Sequence, residues 1–249
     1  MARKFPVFII VRDRLSPLGQ LVTWLESTRR AEIWLIDNDS TYPPLLRYLD
    51  KSPHHVMRLS HNLGHRSPWL SGAVQRNARG RHYIVSDADV VPDAGCPTDA
   101  LDRFNRLLRR YRDIDKVGFG LRIDDLPEHY PHRDHVFEWE QRFWREEVEP
   151  GAFRAEIDTT FAMYREPGTP DHQRALRTGL PYVARHTPWY VDPNDLSEED
   201  KYYRHHADPT ISNWDQDRLP LWKQRWLKIF EDIDQERNAA SEHHSQQDA

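Results

Sequence analysis

Short apolar runs, each closed by polar or acidic residues and followed by an amphipathic stretch, limit this chain to few architectures. Residues 6–11 (PVFIIV) are continuously apolar and give way at once to Arg12 and Asp13. A run with no polar face belongs in a sheet covered on both sides, the usual setting of parallel strands. Leu18, Leu21, Val22 and Leu25 then recur at helical spacing behind a Ser16-Pro17 start. The pattern repeats: residues 32–37 predict a second strand, Leu45, Leu46 and Leu49 a short helix, and residues 56–59 a third strand. Residues 69–76 predict a helix, residues 82–91 a fourth strand, and Leu101, Phe104, Leu107, Leu108 and Tyr111 a further helical stripe. Such repetition predicts an α/β fold with a doubly wound, mostly parallel sheet.

In sheets of this type ligands lie beyond the carboxyl ends of the strands. The four predicted ends carry Arg12-Asp13, Asp37-Asn38-Asp39, His61-Asn62-Leu63-Gly64-His65 and Asp87-Ala88-Asp89, which the pattern gathers into one crevice. After about residue 112 the pattern changes. Residues 116–123 predict a strand, 135–144 a helix, 155–165 an alternating strand and 181–186 a short strand, with prolines at 167, 170, 181, 188 and 193 marking loops. No internal repeat is visible.

Composition excludes several classes. The 249 residues suffice for a sizeable core. No stretch approaches the ~20 apolar residues of a membrane span, and the apolar run near the N-terminus stops too early for a secretory signal. The expected location is cytoplasmic. The single cysteine, Cys96, allows neither an intrachain disulfide nor a thiolate zinc cluster. With 35 Lys+Arg against 40 Asp+Glu the formal net charge is −5, without the basic excess that a general nucleic-acid binder would normally show. The 14 histidines sit mostly in polar neighbourhoods where surface roles are the rule.

The most informative segment is Ser86-Asp87-Ala88-Asp89-Val90-Val91-Pro92. Two carboxylates at i and i+2 behind a buried strand need a partner, because burying unpaired charge is costly. Their oxygens are hard donors suited to Mg²⁺ or Mn²⁺, and such an ion can neutralise a diphosphate.

Together with PVFIIVRDR, LIDNDST and LSHNLGH, this segment resembles glycosyltransferases of the GT-A fold and is similar to glycosyltransferase family 2. The likeness covers roughly residues 5–92 in order and spacing, and more weakly extends to about residue 215. It implies a Rossmann-like, mostly parallel sheet flanked by helices, with a smaller mixed sheet on the acceptor side. Residues 1–235 form one catalytic domain in this reading: a nucleotide-sugar half over about 5–112, an acceptor half over 113–235, and a polar tail over 236–249. The resemblance implies nucleotide-sugar contacts at Val11, Arg12, Asp37, Asn62, Gly64, Asp87 and Ala88, with Asp37 near the base and Asp87 facing the ribose or metal. Asp89 would hold a Mn²⁺ or Mg²⁺ bridging the donor diphosphate.

Family members often add a histidine to the metal shell from a late segment. His186 is the candidate, with His205 and His206 as competitors. Trp189 and Tyr190 are expected to offer an acceptor platform, since sugars stack on aromatic faces. The acceptor hydroxyl needs a base, for which Asp158 and Asp125 are the candidates. The Glu-Asp pair that the family places at a helix start arrives here late, as Glu198-Glu199-Asp200, and Ser197 before it also reads as an N-cap with an acidic first turn. Residues 219–230 mix Trp, Leu, Ile and Phe with Lys and Arg: either a helix packed back on the domain or a peripheral membrane contact.

The expected function is therefore a metal-dependent hexosyltransferase using a UDP-sugar, with a glycan, lipid-linked or other hydroxyl acceptor, as in polysaccharide biosynthesis. Two other classes fit parts of the pattern. A HAD-like phosphohydrolase would use Asp87 as nucleophile and Asp89 as general acid, but three strand–helix units precede them and no later Gly-Asp-x-x-x-Asp cluster follows. A non-catalytic carbohydrate-binding protein could keep the same fold. A nucleotidyltransferase would need a Gly-rich basic loop after the first strand, for which RDRLSPLGQ is a poor substitute.

Overall fold

The first apolar run forms a strand buried on both faces, and the sheet grows outward from it. In the computed structural model, residues 3–158, 160–166, 168 and 174–207 are described. The segment 219–230 and the tail 236–249 lie outside the described residues. Strand β1 (Phe5–Val11) pairs in parallel with β2 (Ala31–Asp37) on one edge and β4 (Tyr83–Asp87) on the other, and β2 pairs in parallel with β3 (His55–Arg58).

Successive side chains of a strand point to opposite faces, and here both faces are covered. Val7, Ile9 and Val11 join a large cluster with Leu18, Leu21 and Leu25 of α1 (Ser16–Thr28), Leu45 and Leu49 of α2 (Pro43–Asp50), and Phe104 and Leu108 of α5 (Ala100–Arg110). Phe8 and Ile10 join a second cluster with Ala73 and Val74 of α4 (Ala73–Asn77) and with Tyr83 and Val85. The expected helix over 69–76 is two short helices, α3 (Ser67–Leu70) and α4, because Gly72 between them is left-handed (φ 74°).

The second half is a mixed sheet. Strand β9 (Ala162–Tyr164) lies antiparallel between β4 and β6 (Lys116–Leu121). Strand β10 (Ala175–His186) runs parallel to β6 and antiparallel to β8 (Ala152–Arg154), which pairs with β7 (Glu147–Glu149). The main order is β3-β2-β1-β4-β9-β6-β10-β8-β7, with β5 (Val90–Pro92) pairing off this path onto the end of β10. This is an α/β fold with a Rossmann-like parallel half and a mixed second half, as the sequence predicts. Helix α6 (Arg133–Glu140) continues into a 3-10 turn at Gln141–Trp144. No helix among the described residues is long and apolar enough to cross a membrane.

Three expectations need correction. The fourth strand is not continuous over 82–91: it stops at Asp87, turns through Ala88 and Asp89, and resumes as β5. The alternating strand over 155–165 shrinks to β9, because Ile157 is drawn into the second cluster while its carbonyl accepts a hydrogen bond from the buried Lys116 Nζ at 2.5 Å. The last strand is longer than residues 181–186, since its register against β6 shifts between Thr178 and Val183 and pairing continues on both sides. Gly118 permits the close β6–β9 approach: a Cβ there would stand 2.2 Å from the Phe161 carbonyl oxygen.

Helix α7 (Glu198–His206) starts with a capping box in which the Ser197 hydroxyl accepts from the Asp200 amide, as the N-cap reading expects. It docks on the start of α1, which has no side-chain cap of its own. The Leu15 and Ser16 amides donate to Glu199 at 2.9 and 3.0 Å, Arg14 pairs with Asp200 at 3.0 Å, and the Arg14 guanidinium lies 3.8 Å from the Tyr203 ring centre. Glu199 is therefore a cap supplied from a distant helix. Burial pushes its carboxyl up despite the two amide bonds.

Glu199→Ala should lower stability by about 1–2 kcal/mol, because two helix-start amides lose their acceptor. Glu199→Gln should cost less. A carboxyl whose folded pKa lies above its unfolded value favours folding more as pH falls. The wild type should thus gain stability relative to Glu199→Gln on acidification from neutral towards 4.5, the ordinary value of the group. Urea melts of the three proteins at pH 7 and pH 5 check both statements.

Candidate active site

Parallel pairing sets the carboxyl ends of the strands level. Val11 lies beside Asp37, Asp37 beside Arg58, and Ile10 beside Asp87. Val11, Arg12, Asp37 and Asp87 thus share one rim. Asn62 and Gly64 are brought to it by Asn38, which is 2% exposed. The Asn38 side-chain amide donates to Asn62 Oδ1 (2.6 Å) and the Gly64 carbonyl (3.2 Å), and its Oδ1 accepts from the Leu63 amide (2.8 Å). Its backbone amide donates to the Val11 carbonyl at 2.8 Å. Arg12 Nη1 donates to the carbonyls of Asn38 (2.9 Å) and Asp39 (3.3 Å), bracing the same turn.

The rim acids have different occupations. Asp13, left-handed at φ 49°, accepts from the Thr41 and Tyr42 amides at 2.7 and 2.8 Å and so holds the entry to α2. Asp37 is buried, accepts from the Ser40 amide (3.0 Å) and lies 3.8 Å from Arg58 Nε. Asp87 is half-buried at the end of β4, and Ala88 is buried in the main cluster.

A second group forms where β5 meets β10. Val90 pairs with His186, and the Thr187 amide donates to the Asp89 carbonyl at 2.9 Å. This pairing places His186 Nε2 3.8 Å from Asp89 Oδ1, with the two side chains 19% and 18% exposed. Two cis ligands of an octahedral ion with bonds of about 2.1 Å stand roughly 3 Å apart, so a small side-chain rotation brings this pair to one ion. Among the described residues no group of three or more His, Cys, Asp or Glu is arranged to hold a metal. A carboxylate with one further protein ligand suits an ion that completes its shell from water and a substrate diphosphate.

Trp189 does not offer an open face. Pro188 lies in the 3-10 turn Thr187–Tyr190, which folds Trp189 into the main cluster, leaving it 3% exposed and edge-on to the His186 ring at 4.9 Å. It backs the imidazole, which corrects the expected platform role. The Tyr190 hydroxyl donates to Asp125 Oδ1 at 2.7 Å, and burial, with the Asp125 carboxylate adding to it, pushes the phenol up. Burial works against ionisation of Asp125, but bonds from Arg185 and Tyr190 and the charges of Arg185 and Arg122 hold its carboxyl below the usual range. Asp158 is exposed and outside any strand. His206 stacks on Tyr202 in α7, at 4.0 Å.

The sequence assigns no role to Lys116, Asp93 or Arg185, and marks Asn38 and Asp13 only as residues of the strand ends. Asn38 lies between two acids, and an Asn at a strand end is a regular turn fastener. Arg185 adjoined the selected histidine. Nothing in the sequence marks the fully buried Lys116, whose setting depends on β9. A shallow pocket lined by Lys4, Glu26, Arg29 and His54 lies at the opposite pole of the strands from this rim.

No protein-family model matches the chain, and no curated protein matches it in sequence. Solved structures give weak likenesses. A mycobacterial protein superposes with a TM-score of 0.47 at 13% identity, over 74% of this chain and 67% of that one. Glucosyl-3-phosphoglycerate synthase from Mycobacterium tuberculosis gives 0.40 at 14% identity, over 66% of this chain and 57% of the synthase. A 4-diphosphocytidyl-2C-methyl-D-erythritol synthase from Anaerococcus prevotii gives 0.34 at 7% identity, over 91% and 98%. Likenesses of this size carry no argument about activity, and the fold rests on the strand order itself.

Asn38→Ala should free the loop 61–66 and destabilise the protein by about 1–2 kcal/mol, since the half-buried amide of Leu63 loses its acceptor. Amide hydrogen exchange across the loop should speed up while β1 and β4 stay protected. Unchanged exchange in the loop would show that another group holds it.

Proposed function

We propose that the protein is a metal-dependent glycosyltransferase of GT-A type that moves a sugar from a UDP-sugar to a hydroxyl of a glycan or lipid-linked acceptor. The observation that carries this reading is the Asp89–His186 pair, 3.8 Å apart, on the same rim as Asp37 and the Asn62–Gly64 turn. A nucleoside diphosphate needs an ion site beside a nucleoside site, and the carboxyl rim of an α/β sheet is where such ligands bind. The formal net charge of −5 adds a reason for a cation.

In this reading Asp89 and His186 hold Mn²⁺ or Mg²⁺, which when bound supplies positive charge to the departing diphosphate. The imidazole nitrogen favours Mn²⁺ over the strictly oxygen-seeking Mg²⁺. Asp37 receives the base, Asp87 the ribose, and Val11, Ala88, Asn62 and Gly64 shape the walls. Arg12 keeps the Asn38-Asp39 turn in place. The acceptor hydroxyl oxygen bonds to the anomeric carbon, the bond from that carbon to the diphosphate breaks, and the hydroxyl proton goes to a carboxylate. The base role is assigned to Asp158, which is exposed to solvent; Asp125 bonds Arg185 and Tyr190. Tyr190 borders the acceptor side.

Calorimetric titration of UDP, GDP and dTDP with and without Mn²⁺ tests the reading. UDP should bind in a metal-dependent manner, and Asp89→Ala and His186→Ala should each abolish the metal dependence. If none of the three nucleotides binds with Mn²⁺ present, the donor site is wrongly assigned. Hydrolysis of an aryl phosphate that is lost in Asp87→Asn would instead indicate a phosphohydrolase. Glycan binding that survives Asp87→Ala and Asp89→Ala, with no nucleotide bound, would indicate a carbohydrate-binding protein.

A further inference from the structure

Beside His186 lies a lattice of charges that the reaction outlined above does not use. Arg185 Nη1 stands 2.6 Å from Asp93 Oδ1, and the same guanidinium donates to Asp125 Oδ2, from Nε at 3.2 Å and again through Nη2. Arg122 reaches Asp93 (3.3 Å), Asp124 (2.8 Å) and Asp125 (3.3 Å). Tyr190 closes the lattice on Asp125. Three chain segments meet here: the residue after β5, the loop after β6, and the end of β10.

We infer that Asp93, Arg185 and Asp125 form an ionic clasp that positions His186 against Asp89. This rests on the metal reading of that pair. The backbone contact that brings the two together is short: β5 contributes three residues to its pairing with β10. Strand β5 is held to the sheet by β10, and so short a pairing adds little stability by itself. Neighbouring residues on a strand point to opposite faces, so Arg185 is gripped on the face away from His186. The clasp therefore fixes the backbone beneath the imidazole without occupying the ion's position. Arginine suits the role because its planar fork engages two carboxylates at once, which lysine cannot reproduce. Backbone bonds flank the clasp, from the Asp93 amide to the Val183 carbonyl (2.9 Å) and from the Arg122 amide to the Ala184 carbonyl (2.8 Å). Asp125 is then a positioning residue, and its two oxygens are already engaged.

The test follows free Mn²⁺ by electron paramagnetic resonance in the presence of saturating UDP, for wild type, Arg185→Lys, Arg185→Ala and Asp125→Asn. Loss of a group that orients a ligand typically weakens metal affinity by about 10-fold or more, and each variant should show a loss of that order, with UDP affinity in EDTA unchanged. A second readout is the His186 ring resonance, assigned by subtraction with His186→Gln, which should move in Arg185→Lys before any metal is added. Should Arg185→Ala fail to fold, Arg185→Lys carries the test, because it keeps charge and stem. Wild-type Mn²⁺ affinity in Arg185→Lys and Asp125→Asn overturns the clasp. So does a loss of turnover in Asp125→Asn with Mn²⁺ affinity intact, which would make Asp125 the base. Absence of UDP-dependent Mn²⁺ binding in the wild type removes the metal reading itself, and in that case a shifted His186 resonance still supports the positioning contact while an unmoved one removes it too.

Discussion

The parallel register of β1 against β2 and β4 is the constraint from which the rest follows. Val7, Ile9 and Val11 fill one core, and Phe8 and Ile10 fill the other. A slip of one residue would turn both sets to the wrong face, so the packing on either side locks the register. With the register locked, Val11, Asp37 and Asp87 end at one level. The rim is therefore a by-product of hydrophobic packing at a distance from it, and polar residues are free to occupy it without threatening the fold.

Polar side chains then act mainly as fasteners between segments remote in sequence. Asn38 ties the turn after β2 to the loop after β3. Asp13 ties the exit of β1 to the start of α2. Glu199 reaches across the chain to cap α1. The buried Arg177–Glu140 pair at 2.6 Å joins β10 to α6, with the guanidinium also lying over Phe143. Each fastener satisfies backbone or charged groups that would otherwise be desolvated without a partner. The Arg122–Arg185–Asp93–Asp125 lattice belongs to this class, and its place beside His186 gives it consequences for chemistry.

The sequence was most legible where local pattern and burial agree. Strands β1 to β4 and helices α1, α2 and α5 were readable because apolar period and turn residues coincide. The capping box at Ser197 was readable for the same reason, being local. Residues 155–165 misled because alternation of Ile157, Phe161 and Met163 looks like a strand, whereas long-range contacts decide how much of it pairs. Trp189 misled because an aromatic residue in a loop gives no sign of whether it faces solvent or core.

By itself the sequence pointed to the α/β class, the succession of the first four strands along the chain and an expected gathering of their polar ends, since each follows from short-range periodicity and from the rule that parallel strands share an end. Only the tertiary structure decided that β9 enters between β4 and β6, that β5 folds back onto β10, and that His186 rather than His205 or His206 meets Asp89. Those outcomes depend on pairing between segments distant in sequence, such as Lys116 with Tyr164, Tyr83 with Tyr164 and Val90 with His186. No local window holds that information, because the energy that selects such a pairing comes from packing and charge contacts that exist only once both segments are in place.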